Sequence, residues 1–127
     1  IKDLNKISNI PLIADISLLN KNDFKDYLDI ISEKYNKSNE KLLIYSISPL
    51  DKEQKNLLIT TLKESNSKNL EFQENFKNLN KFTDILIIIN LGITPEEDVI
   101  KLERKLSLID IKIFGFITIN DILQKKL

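Results

Sequence analysis

Apolar and polar positions along the chain sort into two alternating kinds of segment. The first is a short run with hardly a polar break: Leu42-Leu43-Ile44, Ile85-Leu86-Ile87-Ile88-Ile89, and the stretch 111–119. A run of strand length without a polar face has no side left for water, which is the condition of parallel strands covered by helices on both faces. The second kind carries apolar residues at helical spacing. Phe24, Leu28, Ile31 and Tyr35 form one stripe; Leu50, Leu57, Leu58 and Leu62, with Ile59 alongside, form another; Val99, Leu102 and Leu106 form a third. The pattern predicts a strand over 10–16, a helix to about 35, a strand over 41–47 and a helix to about 64. A short edge strand at Leu70-Glu71-Phe72 follows, then a short helix within 73–82 presenting Phe76, Leu79 and Phe82. A strand over 85–89, a helix over 95–108 and a strand over 111–119 complete the series. Residues 2–8 read as a helical turn with Leu4 and Ile7 facing inward, and 121–127 as a frayed basic tail. Strands alternating with helices of this length specify an α/β fold, a three-layer sandwich with a mostly parallel sheet of about five strands and right-handed crossovers. The strand-helix-strand unit over 83–120 organises it.

The boundaries carry recognisable chemistry. Ser48-Pro49-Leu50-Asp51 and Thr94-Pro95-Glu96-Glu97 repeat one device: a hydroxyl to cap the helix, proline at the first helical position, an acid soon after. Asn20-Lys21-Asn22-Asp23 offers caps for the first helix, and Pro11 suits a strand start. Gly115 interrupts the last strand, where a helix or loop is expected to approach closely.

Composition then removes whole classes of function. With no Cys and no His among 127 residues, thiolate and imidazole catalysis, disulfides and the usual zinc sites are excluded. Nineteen basic residues balance nineteen acidic ones, so no overall field draws the chain to nucleic acid or to an anionic membrane surface. Arg104 is the only arginine, which leaves bidentate phosphate clamps nearly unavailable. No stretch reaches the roughly 20 apolar residues of a membrane span. The chain opens at Ile1 without a methionine and reads as a single excised or tag-trimmed domain, which leaves room for membrane segments upstream in a parent protein. Isolated candidates have ordinary structural readings. Asp84 is expected as a solvated or capping carboxylate, and Glu96, Glu97 and Asp98 as complements to a helix dipole rather than a divalent-ion site. Tyr27, Tyr35 and Tyr45 read as packing residues rather than phosphoacceptors. No catalytic residue, metal ligand or cofactor is singled out.

The unit Thr83-Asp84-Ile85-Leu86-Ile87-Ile88-Ile89-Asn90-Leu91-Gly92-Ile93-Thr94, continued by Ile113-Phe114-Gly115-Phe116-Ile117-Thr118-Ile119-Asn120, resembles the closing strand-helix-strand of bacterial tyrosine kinases of capsule and exopolysaccharide synthesis. Gly92, Thr94, Gly115 and Asn120 stand at the matching places. Ile10-Pro11 before an apolar strand is similar to the entry into the cytoplasmic domain of the related polysaccharide chain-length determinants. The resemblance implies a Rossmann-like, P-loop-NTPase-like sheet. It also implies a phosphate-binding loop after the second strand, whose glycines, lysine and hydroxyl hold phosphates and magnesium. This chain departs from that pattern there. Its loop reads Ser48, Pro49, Leu50, Asp51, Lys52, Glu53, Gln54, Lys55, with Leu50 and Lys52 in place of the glycines, Glu53 in place of the lysine and Gln54 in place of the hydroxyl. Matching 85–89 to the magnesium-binding strand instead puts Asn90 where the family has an acid, and the tyrosine-rich tail is absent. Asp23-Phe24-Lys25-Asp26-Tyr27-Leu28 is similar to the family's ring-assembly segment but keeps only Lys25 as a basic residue, so Phe24, Lys25, Tyr27 and Leu28 are candidates for an interface of other kinds.

These observations converge on a kinase-like domain with no nucleotide. Its expected role is a structural or protein-interaction module in polysaccharide chain-length control. Its expected partner is the export or polymerisation machinery, or a second copy, and its place is the cytoplasmic face of a membrane reached through segments outside this stretch. Two alternatives stand beside this reading. One is a divergent ATPase or tyrosine autokinase that completes its site with a partner, using Lys52 or Lys55. The other is an unrelated flavodoxin-like regulatory domain.

Overall fold

The computed structural model describes residues 12–16, 21–65 and 68–119. Its elements, in chain order, are β1 (Leu12–Ile16), α1 (Lys21–Asn36), β2 (Leu42–Ser46), α2 (Lys52–Glu64), β3 (Leu70–Gln73), a 3-10 turn (Leu79–Lys81), β4 (Asp84–Asn90), α3 (Glu96–Leu106) and β5 (Lys112–Ile119). Four strands in the order β5-β4-β2-β3 form the body of the sheet, β1 adds at the β5 edge, and every pairing is parallel. The apolar runs are the reason. All seven residues of β4 are buried, because β2 and β5 flank it and helices cover both faces.

Side chains alternate between the faces. Leu42, Ile44, Leu86, Ile88, Ile117 and Ile119 meet the α1 stripe of Phe24, Leu28, Ile31 and Tyr35, together with Leu58 of α2. Leu43, Ile85, Ile87, Ile89 and Phe116 meet Val99, Leu102 and Leu106 of α3, and Phe82. The placement of the helices follows from crossover handedness. From β1 to β2 and from β2 to β3 the chain moves one way across the sheet, so right-handed crossovers put α1 and α2 on one face; from β4 to β5 it moves the other way, which puts α3 on the opposite face. The chain therefore reverses its direction across the sheet between β2 and β4.

Gly115 sits at a bulge. Ile113 pairs with Ile85 and Gly115 with Leu86, so Phe114 is an extra residue in β5. Phe114 packs edge-on against Tyr35, with ring centroids 5.8 Å apart, and the Lys34 ammonium lies 4.8 Å from the Phe114 centroid. The glycine thus marks a break in the ladder, and the residue beside it makes the close approach.

The structure corrects several expectations. Residues 74–78 are not helical: Asn75, Asn78 and Asn80 are poor helix formers, and Asn78 takes the left-handed conformation at φ 56°, leaving only the turn Leu79–Lys81. Phe76 instead packs at a tilt against Tyr45, with centroids 5.4 Å apart. The inward stripe of α2 is Gln54, Leu58 and Thr61, with Leu57 and Leu62 at its margin and Ile59 turned outward. Helix α3 ends at Leu106, and Leu108 is 85% exposed. Of the four candidate interface residues, Phe24 and Leu28 belong to the core, since an i, i+4 pair shares one helix face; Lys25 and Tyr27 remain outside. The expectations for 2–8, Pro11, Asn20 and 121–127 fall outside the described residues.

Candidate functional site

In an open parallel sheet, ligands settle beyond the carboxyl ends of the strands where the winding reverses. Here that place lies between the ends of β2 and β4. Strand β2 leads through Ser46 and Ile47 to Ser48, and the Ile47 N–H donates to the Ile88 carbonyl at 3.2 Å, keeping the two chains together past the end of the strand. Strand β4 ends at Asn90, and its backbone turns at once. The Asn90 carbonyl accepts from the N–H groups of Ile93 (3.0 Å) and Thr94 (2.8 Å), and Gly92 takes φ 86°, a left-handed angle that glycine adopts without steric cost.

Ser48 and Thr94, each expected to cap a helix, cap neither. The Thr94 hydroxyl oxygen accepts from the Asn90 N–H at 3.0 Å and lies 2.8 Å from the Ser48 hydroxyl, while the Ser46 hydroxyl donates to the Ser48 carbonyl at 2.6 Å. The two residues that repeat one local device are partners in a buried tertiary contact. Helix α2 begins later than expected, at Lys52, because Asp51 is the better cap. Its carboxylate accepts from the Gln54 N–H at 2.8 Å, and the Gln54 side-chain oxygen accepts from the Asp51 N–H at 2.9 Å, a reciprocal capping box. Helix α3 starts at Glu96 with Pro95 just outside it in extended conformation, and no side chain caps it; Glu96, Glu97 and Asp98 fill its first turn.

This arrangement decides what the loop after β2 can hold. A phosphate needs free N–H groups at a helix start and a backbone able to wrap it. The Gln54 N–H is already engaged by a carboxylate, and neither glycine of a wrapping loop is present. Lys52 is exposed, and Lys55 pairs with Glu74 at 2.5 Å. Among the described residues, no group of three or more His, Cys, Asp or Glu side chains could hold a metal ion. Asp51→Ala is expected to destabilise the domain by about 1 kcal/mol, the usual worth of such a cap, seen as a lower urea midpoint; an unchanged midpoint would show that the capping box contributes nothing.

One residue at this end stands apart. Asn90 is 1% exposed, and neither its side-chain oxygen nor its side-chain nitrogen has a hydrogen-bond partner. Its own backbone groups are fully used by the turn, so its amide is the unspent polar group of the reversal point. The sequence shows an amide at this position but carries no signal for its burial.

At the opposite end of the sheet, Asp84 is neither solvated nor a cap. It is 9% exposed, in the middle of the sheet, and accepts a hydrogen bond from the buried Tyr35 hydroxyl. Burial first, and the Asp84 carboxylate second, push the Tyr35 phenol well above its ordinary pKa. On the outer face of α1, Lys25 pairs with Asp29 at 3.0 Å, and the Ser65 hydroxyl donates to the same carboxylate at 2.7 Å; these contacts hold Asp29 below its ordinary pKa, Ser65 contributing most. Both groups are committed within the fold. Set against models of protein families, curated proteins and solved structures, the chain matches none of them.

Proposed function

We propose that this is a kinase-like α/β domain that binds no nucleotide and serves as a structural or protein-interaction module in polysaccharide chain-length control. The observation that carries the reading is the start of α2. In a phosphate-binding domain this helix terminus is left open for the ligand; here Asp51 and Gln54 close it on itself, and a carboxylate stands where phosphate oxygens would. The parallel sheet with its reversal between β2 and β4 supports the ancestry, because it is the frame on which such a site is built. The biological setting rests on the resemblance of residues 83–120 to the closing unit of the capsule and exopolysaccharide kinases. In that setting the domain lies at the inner face of the membrane and is tethered by other segments. Among the described residues, no helix is long and apolar enough to cross a membrane.

Calorimetric titration with magnesium-ATP tests the reading. No saturable heat is expected up to millimolar nucleotide. Saturable binding with Kd below about 10 μM, some −7 kcal/mol, would overturn it.

A further inference from the structure

Among the described residues, strand β3 is the last strand on its side of the sheet and pairs with β2 alone. The Asn69 carbonyl accepts from the Leu42 N–H at 2.8 Å, so the backbones of residues 69, 71 and 73 turn toward β2. By the alternation of a strand, the N–H and C=O groups of Leu70 and Phe72 point outward along an edge that no described strand covers. Their side chains pack toward the α1 and α2 face. There a groove of about 490 Å³ runs between the edge and the flank of α2, floored by Ile59, Leu62, Leu70 and Phe72, with Lys63 and Lys68 beside it.

The charges in this groove are unbalanced. Glu71, the one acid that lines it, is engaged by Lys81 at 3.0 Å and by the Gln73 amide at 2.6 Å. Lys63 and Lys68 have no ion pair among the described residues. An edge that offers main-chain hydrogen bonds, an apolar slot for alternate side chains and two unmatched cations is complementary to one kind of occupant.

We propose that the β3 edge takes an extended acidic segment of a partner protein, added as a further strand beyond β3. Main-chain bonds run to Leu70 and Phe72, an apolar side chain enters the groove, and carboxylates face Lys63 and Lys68. A second copy of the chain fits less well. Two-fold pairing through β3 would set Lys63 and Lys68 near the same lysines of its partner, and like charges oppose that contact. The proposal gives the interaction-module reading a surface and a partner class, and it stands whether or not nucleotide binds, so this assay and the magnesium-ATP titration fail separately.

The probe is a short fluorescent peptide with a Val-Thr-Val centre between glutamates, titrated against the whole chain by anisotropy. Saturable binding is expected, with slowed hydrogen exchange at the Leu70 and Phe72 amides. Replacing the peptide glutamates by lysine should abolish it, and the double variant Lys63→Glu, Lys68→Glu should weaken it about tenfold or more. Methylating the peptide's backbone nitrogens should abolish binding while leaving the protein untouched, so this arm does not depend on a variant that folds. Equal binding of the methylated or lysine-flanked peptide would overturn the proposal, as would no binding at millimolar peptide. Concentration-dependent dimerisation that protects the same two amides without peptide would assign the edge to a second copy and also overturn it.

Discussion

Ile87→Ala is expected to destabilise the domain by about 2–5 kcal/mol, the range for truncating a fully buried aliphatic side chain. Against a total stability of about 5–15 kcal/mol, that loss brings the domain close to unfolding. Ile87 has no exposed surface and lies in the central strand, level with Tyr45 of β2 on one side and Phe116 of β5 on the other, beneath the Val99, Leu102 and Leu106 stripe of α3. Parallel ladders hold both neighbours in place, so the cavity left by alanine has little freedom to collapse. Urea unfolding of the variant should show the midpoint falling accordingly. Leu108→Ala, at the most exposed large apolar position among the described residues, should stay within about 0.5 kcal/mol of the parent. Equal losses at the two sites would contradict the layer assignment.

Tyr35→Phe is expected to cost about 1–3 kcal/mol near neutral pH, because it removes only the donor and leaves the buried Asp84 carboxylate without it. The same pair gives an alkaline signature. In the folded state the phenol is held above its ordinary value, whereas in the unfolded chain it ionises near pH 10. Its contribution is therefore complete below about pH 10. Above that, the unfolded state loses the proton that the folded state keeps, so stability falls by up to about 1.4 kcal/mol per pH unit. Urea midpoints measured between about pH 9 and 11 should fall more steeply for the parent than for Tyr35→Phe. Parallel curves would remove Tyr35 as the source.

The core was legible in the sequence wherever a periodic pattern reports on burial. Phe24, Leu28, Ile31 and Tyr35 recur at helical spacing and are all buried in one stripe, and the unbroken run from Ile85 to Ile89 lies buried between helices on both faces. What escaped is what depends on distant partners. Ser48 and Thr94 have the local form of helix caps, and nothing near them in sequence reveals that they meet across 46 positions. Asp84 looks like an ordinary strand-initial acid until its partner is found 49 positions earlier. Gln54 and Thr61 lie outside the stripe that the leucines of α2 predict, yet both are buried: Gln54 folds back onto the cap, and Thr61 donates to the Leu57 carbonyl at 2.6 Å, so each brings its own hydrogen bond inward. The unpartnered Asn90 amide was invisible for the same reason, since burial at the end of a strand depends on the loops that close over it.

The pairing of β1 with β5 alone bears on how the domain is made. Leu12 lies level with Phe116 and Ile16 with Ile119, so among the described strands the earliest in sequence pairs only with the latest. During translation, β2, β3 and β4 can associate as soon as they emerge, because each has a neighbour already made or next in line. Among the described strands β1 has none until β5 has been built, a wait on the order of ten seconds at typical elongation rates. Until then the backbone groups of β1 lack their partner strand. Joining β1 to β5 is therefore a late step in forming the described sheet, and one at which pairing with another chain's open edge competes with correct assembly.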